Sequence, residues 1–130
     1  TETHHFPYNL SHEEDNRLPM RYIGLLSGEI RGSLCANTGI FTGLDAAKMI
    51  LTGADCVQVV STVYKHGIGQ ITRILEELDG WMEKKNYDSV DAFRGKMSRK
   101  NLKDPFAYRR AQYIDILMKS EEIFKKYPMR

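Results

Sequence analysis

Apolar positions along this chain change spacing several times, and each change marks an element. From Arg17 to Gly28, Met20, Ile23 and Leu26 recur every third residue, the stripe of a helix with one buried side. Pro19 falls in its first turn, where the missing N–H costs nothing, and Gly28 is a stop. Arg31 to Ala36 is short, bounded by turn residues, and reads as a buried strand. Asn37 to Gly43 is a loop. Thr42-x-x-Asp45 forms a capping box with Asp in place of the usual Glu. It opens a helix from Leu44 to Leu51 that should turn Leu44, Ala47, Ile50 and Leu51 inward. Thr52-Gly53-Ala54-Asp55 stops that helix. Cys56-Val57-Gln58-Val59-Val60 then reads as a strand, with the nearly continuous β-branched run expected when both faces are covered. Strand, loop, helix, strand is a βαβ unit, for which parallel pairing and a right-handed crossover are expected.

Beyond Ser61 the pattern is helical. Ser61 to His66 makes one short turn. Ile68, Ile71, Leu75, Leu78 and Met82 keep a helical spacing up to Lys85. Asp88 or Ser89 can cap a helix containing Val90 and Phe93. Asp104-Pro105 is a further helix start, followed by the stripe Ala107, Ala111, Ile114, Leu117-Met118. The first residues are polar and broken by Pro7, with a short strand or arm at Phe6 to Leu10. No internal repeat or low-complexity segment is visible. The predicted organisation is an arm at 1–16, an α/β segment at 17–85 and a helical extension at 86–130.

Composition narrows the class. At 130 residues, 42% hydrophobic and 28% charged, the chain suits one soluble globular domain. No apolar run approaches the roughly 20 residues of a membrane span, and no export leader is visible, so a cytoplasmic setting without membrane contact is expected. Cys35 and Cys56 are not a C-x-x-C pair and make no disulfide framework. The net charge of +2 hides an acidic first part and a basic segment from Trp81 onward. Acids are interspersed there, so a solvated mixed-sign surface is expected rather than a nucleic-acid site. His4 and His5 have no third ligand at suitable spacing, and His12-Glu13-Glu14-Asp15 lacks the second histidine of a zinc-protease helix, so no metal site is assigned. Asn9-Leu10-Ser11 fits a glycosylation sequon but should stay bare without export.

The chemistry concentrates between Ser33 and Thr62. Ligands of α/β folds sit outside the carboxyl ends of the strands. The loop Asn37-Thr38-Gly39-Ile40 can turn backbone N–H groups toward an anion, because Gly39 removes the Cβ barrier to close approach. Val60-Ser61-Thr62 offers two hydroxyls and the start of a helical turn, which favours phosphate. Together these turns can grip one phosphate from two sides; ordinary βα loops would also have this composition. Asp45 and Asp55 read as cap and loop residues. Cys35 reads as a small buried hydrophobe. Gln58, polar on a buried strand, should be hydrogen-bonded in the interior or to a ligand. Lys65-His66 reads as an exposed turn, with extension to a phosphate as the alternative, while Trp81 and Tyr87 read as packing residues.

The stretch Gly39-Ile40-Phe41-Thr42-Gly43-Leu44-Asp45-Ala46-Ala47, continuing to Gly53-Ala54-Asp55-Cys56-Val57-Gln58-Val59, resembles the last two strands of the dihydroorotate dehydrogenase family. Arg17-Leu18-Pro19-Met20-Arg21 resembles the helix start before the seventh strand of those enzymes. Tyr87-Asp88-Ser89-Val90-Asp91-Ala92-Phe93-Arg94-Gly95-Lys96 is similar to the C-terminal extension of a bacterial branch. The resemblance runs from about Arg17 to Gln112.

That family consists of FMN-dependent (β/α)8 barrels that oxidise dihydroorotate to orotate in pyrimidine synthesis. The resemblance implies an α/β fold forming the C-terminal part of a TIM barrel, strands seven and eight with flanking helices. It implies that Thr38, Gly39 and Ile40, with Val60 and Ser61, bind the FMN phosphate, and Thr62 lies beside them. The family commonly has Gly-Gly where this chain has Thr38-Gly39, and Gly before Ser or Thr where it has Val60-Ser61. A further family glycine matches the acidic stretch Glu13 to Asn16. A complete barrel takes about 200–250 residues. The family's catalytic base, a Ser or Cys on a mid-barrel loop, would lie upstream, so no catalytic residue is assigned here. The two strands should leave an open edge, covered by the N-terminal barrel portion or by another copy of the chain. Alternatives are another phosphate-binding barrel enzyme, or a non-catalytic interaction module using the basic helical tail.

Overall fold

The computed structural model describes residues 10–101. His4, His5, most of the expected arm and the helix expected after Asp104 lie outside the described residues. A 3-10 turn, Glu13–Asn16, leads into α1 (Arg17–Leu26). Then come β1 (Cys35–Ala36), α2 (Gly43–Thr52), β2 (Cys56–Val57), α3 (Ser61–His66) and α4 (Gly69–Lys84), and a second 3-10 turn at Arg99–Asn101. This is an α/β arrangement of helices on a small parallel sheet.

The strands pair in parallel, Cys35 opposite Cys56 and Ala36 opposite Val57. The Leu34 carbonyl accepts from Asp55 N at 2.8 Å, and the Ala36 carbonyl from Gln58 N at 2.8 Å. Regular pairing is shorter than the apolar runs suggested. Arg31 to Ser33 is exposed, and the ladder ends after Val57. Burial alternates along both strands. Leu34, Ala36, Val57 and Val59 turn toward the helices, whereas Cys35, Cys56, Gln58 and Val60 are exposed. Among the described residues the helices cover one face of the strands, and period-2 geometry turns every second residue to the other.

The core lies between the sheet and α1, α2 and α4. Ile23, Ala36, Ile40, Ala46, Met49, Ala54 and Ile74 form one contiguous cluster. The capping box is present: Thr42 Oγ1 accepts from Asp45 N at 3.1 Å, and Asp45 Oδ2 accepts from Thr42 N at 3.1 Å. Gly43 opens α2 where it crosses α4. A Cβ there would run into Leu78 N and sit 2.5 Å from Glu77 Cβ, so only glycine allows the approach. Glu77 then accepts from Gly43 N at 2.7 Å, satisfying one of the unpaired N–H groups at the start of α2.

That contact also fixes the rotation of α4. Gln70 is buried and donates to the Phe41 carbonyl at 3.0 Å, and Ile74 is buried one turn on. The inner side of α4 therefore runs through Gln70, Ile74 and Glu77, and the apolar stripe Ile68, Ile71 and Leu75 is left exposed. Leu44 is also exposed, at 47%, because it stands one turn above the solvated Lys48.

The helix expected at Val90 and Phe93 is instead a series of turns. Gly95 N and Met97 N donate to Ile50 and Leu51 carbonyls at 2.9 and 2.8 Å, capping the last turn of α2 rather than continuing a helix. Phe93 is fully buried there, with ring centroids 5.0 Å from Trp81 and 5.2 Å from Tyr87. Trp81 and Tyr87 are thus packing residues, as expected.

Candidate functional site

The two βα loops meet at one cleft outside the carboxyl ends of the strands. Its volume is about 490 Å³, and Thr38, Gly39, Ile40, Val60 and Ser61 all line it. The first loop gets its shape from two consecutive residues with left-handed backbones, Thr38 at φ 74° and Gly39 at φ 70°. Glycine adopts this region freely, but a β-branched threonine does so only under strain. The second loop runs straight into α3, whose first N–H groups have no partner within the helix.

Ser11 joins the loops. Its Oγ accepts from Gly39 N at 3.2 Å and donates to Ser61 Oγ at 2.8 Å, while Ser11 N donates to Ser61 Oγ at 3.0 Å. The sequence singled out Ser11 only as the end of a sequon, since nothing local links it to residues some fifty positions away. His12 and Asp15 also line the cleft, and Asp15 accepts from His12 N at 2.7 Å. One acid of the Glu13 to Asn16 stretch therefore faces the cleft. Lys65 Nζ donates to the Ser11 carbonyl at 3.3 Å and stands 5.0 Å from the centre of the Phe41 ring. Lys65 and His66 are exposed, as expected of a turn, and Lys65 also extends to the strand of chain at Ser11.

The structure adds a packing reason for glycine at position 39. A Cβ on Gly39 would sit 2.5 Å from Asn16 N and 2.9 Å from the His12 carbonyl. The glycine thus lets the 3-10 turn pack onto the loop. Asn16 secures that contact by donating to the Gly39 carbonyl at 3.3 Å and to Asp45 Oδ1 at 3.4 Å.

Thr62 stands apart from the other predicted site residues. It is fully buried, does not line the cleft, and its hydroxyl has no hydrogen-bond partner among the described residues. Gln58 lines the cleft from an exposed position, so of the two partners expected for it the interior one is corrected, and a ligand in the cleft is the one its position allows. Cys35 is likewise exposed rather than buried. Both corrections share one cause, the open face of the sheet. Asp45 serves the cap, and Asp55 accepts from Leu34 N at 2.7 Å, so both carboxylates act structurally.

The donor set suits an oxyanion such as a phosphate monoester: hydroxyls of Ser11 and Ser61, and backbone N–H groups of a left-handed turn and of a helix start. No group of three or more His, Cys, Asp or Glu gathers into a metal site among the described residues. No helix among them is long and apolar enough to cross a membrane.

No protein-family model matches the chain. Over 59 residues, 45% of the chain, it is 46% identical to a probable dihydroorotate dehydrogenase A (fumarate) of Streptococcus pneumoniae, covering 19% of that protein. Over 60 residues, 46% of the chain, it is 43% identical to a dihydroorotate dehydrogenase (fumarate) of Lachancea kluyveri, again covering 19%. Over 63 residues, 48% of the chain, it is 40% identical to the chloroplastic dihydropyrimidine dehydrogenase (NADP(+)) of Arabidopsis thaliana, covering 15%. The chain carries a segment similar to dihydroorotate dehydrogenases, as the motifs suggested. The matched segment spans about a fifth or less of the length of these curated relatives.

Proposed function

We propose that this chain is the C-terminal barrel segment of a flavin-dependent oxidoreductase of the dihydroorotate dehydrogenase kind, and that its cleft holds the phosphate of FMN. In this reading β1 and β2 are the seventh and eighth strands of a (β/α)8 barrel. Residues 1–16 are an arm, 17–85 the barrel segment and 86–130 a helical extension. The supporting observation is that loops after two adjacent parallel strands share one cleft, with the start of a short helix at its edge. This is where TIM barrels hold phosphate groups.

The phosphate ligands are the backbone of Thr38, Gly39 and Ile40 and the entry to α3 at Val60 and Ser61, with Thr62 buried behind them. Ser11 stands in their midst with its hydroxyl on both Gly39 N and Ser61 Oγ, so an incoming phosphate exchanges with or joins that hydroxyl. FMN, when bound, would accept hydride as dihydroorotate becomes orotate. The catalytic base belongs to the mid-barrel portion, upstream of the residues present here. Fumarate as the final acceptor follows the names of the relatives. The rest of the barrel, or a second copy, covers the open sheet face. The setting is cytoplasmic, without membrane or nucleic-acid partners.

Titration of the full chain with FMN and with riboflavin, followed by flavin fluorescence, tests the reading, because the two differ only in the phosphate. FMN should bind about tenfold more tightly, and inorganic phosphate should compete. Ser61→Ala should narrow that gap about fivefold, the worth of one hydrogen bond of roughly 1 kcal/mol. Equal affinity for both flavins would contradict the proposal.

A further inference from the structure

Helix α1 carries an apolar stripe that the described residues leave uncovered. Leu18, Tyr22 and Leu26 stand four residues apart, so they lie one above another on one side of the helix, and all three are exposed. Met20, Ile23 and Gly24 occupy the other side and pack inward. The stripe therefore faces away from the sheet. In the barrel reading it belongs to the outer rim of the helices, apart from the strand face that the N-terminal portion closes. A row of apolar residues in such a place is the mark of a docking surface. The described chain ends beside it. The 3-10 turn Arg99–Asn101 packs against the C-terminal end of α1, where a Cβ on Gly28 would sit 2.7 Å from Lys100 Cδ. Asn101 Nδ2 holds the turn there by donating to the Gly95 carbonyl at 2.8 Å. Residues 102–130 follow from that point.

We propose that the occupant of this stripe is the chain's own segment from Pro105 to Met118, laid antiparallel along α1. Its apolar positions, Ala107, Ala111, Ile114 and Leu117-Met118, have the spacing of one helix side. The connection from Asn101 to Asp104 is short, and short connections place consecutive helices antiparallel. The lengths agree, since α1 rises roughly 15 Å and residues 107–118 in helical form roughly 17 Å. Antiparallel order sets Ala107 against Leu26 and Ala111 against Tyr22, small opposite large, with Ile114 and Met118 against Leu18. It also brings Glu121 and Glu122, just past the stripe, to the exposed Arg17 at the start of α1. The reverse direction would set those acids beside Glu29. Because α1 follows directly on the turn that carries Asp15 and Asn16 to the first cleft loop, the docked segment braces that wall of the cleft from outside.

Engineered cysteine pairs in the full chain test this, with Cys35→Ser and Cys56→Ser as the background. Under mild oxidation, Leu26→Cys with Ala107→Cys should close a disulfide within one chain. Mass spectrometry should then find tryptic peptides 22–31 and 104–109 linked to each other. Leu75→Cys with Ala107→Cys, which probes the exposed stripe of α4 instead, should link about tenfold more slowly, the docked pair having the higher effective concentration. Links between two chains would mean that a second copy takes the stripe, and would overturn the proposal. So would failure of the first pair to close, or equal rates for the two pairs. Deuterium exchange of the wild-type chain gives a second reading that needs no engineered cysteine. Amides of residues 107–118 should exchange about tenfold more slowly than in urea-unfolded chain, and Ile114→Asp should abolish that protection with α2 still protected. Exchange at 107–118 as fast as in the unfolded chain, or protection that Ile114→Asp leaves intact, would equally sink the proposal.

Discussion

The two faces of the small sheet contain similar residue types and behave in opposite ways. On the helical side, Ala36 joins Met49 and Ile74 in a buried cluster, with Val57 packed against it. On the other side, Cys35, Cys56, Gln58 and Val60 are exposed, Val60 at 62%. The covered face holds the fold together, while the open face sets Gln58 and Val60 on the wall of the cleft. Apolar character alone does not tell the faces apart. The outer stripe of α4 makes the same point, since Leu75 is 59% exposed whereas Ile74, its chain neighbour, is buried.

Truncation on the covered face should break this contrast most strongly. Met49→Ala removes a fully buried side chain at the centre of the cluster. It should cost about 2–5 kcal/mol in urea unfolding, the range for large-to-small core changes. A loss below 1 kcal/mol would mean that the cluster is not what stabilises the chain. A smaller effect of opposite sign is expected at the loop joining the faces. Thr38→Gly relieves a left-handed threonine, worth roughly 1–3 kcal/mol of strain, less the added freedom of glycine when unfolded. The net expectation is a gain of about 1 kcal/mol in the same assay, and a destabilised variant would show that Thr38 is not strained. The smallest effect belongs to the outer stripe. Leu75→Ser should shift stability by no more than about 0.5 kcal/mol, as for an exposed position. Its clearer signature is reduced self-association in light scattering, because it removes part of an uncovered apolar surface. If Leu75→Ser instead matched Met49→Ala in cost, the distinction between covered and open sides would fail.

Local features were legible in the chain itself. The capping box of Thr42 and Asp45, the βαβ order, the parallel pairing and the packing role of Trp81 and Tyr87 all follow from residues close in sequence or from hydrophobic spacing. The loops at Thr38 to Ile40 and Val60 to Ser61 could be singled out, because small residues after strands are a local signal. The same logic failed at Val90 to Phe93. A capping signal was present there, but the N–H groups of Gly95 and Met97 found better acceptors at the end of α2.

What the sequence by itself determined is the order of elements from α1 to α4 and the two turns with which the parallel strands end, since propensity, capping and periodicity act over a few residues. Tertiary structure alone decided which side of each element is covered. It rotated α4 through Gln70 and Glu77, turned Cys35, Cys56 and Gln58 outward, set Ser11 between Gly39 and Ser61, and gave Gly39 to the packing of Asn16. Those outcomes depend on contacts between residues far apart along the chain. Such contacts are fixed by packing geometry, and no local pattern encodes them.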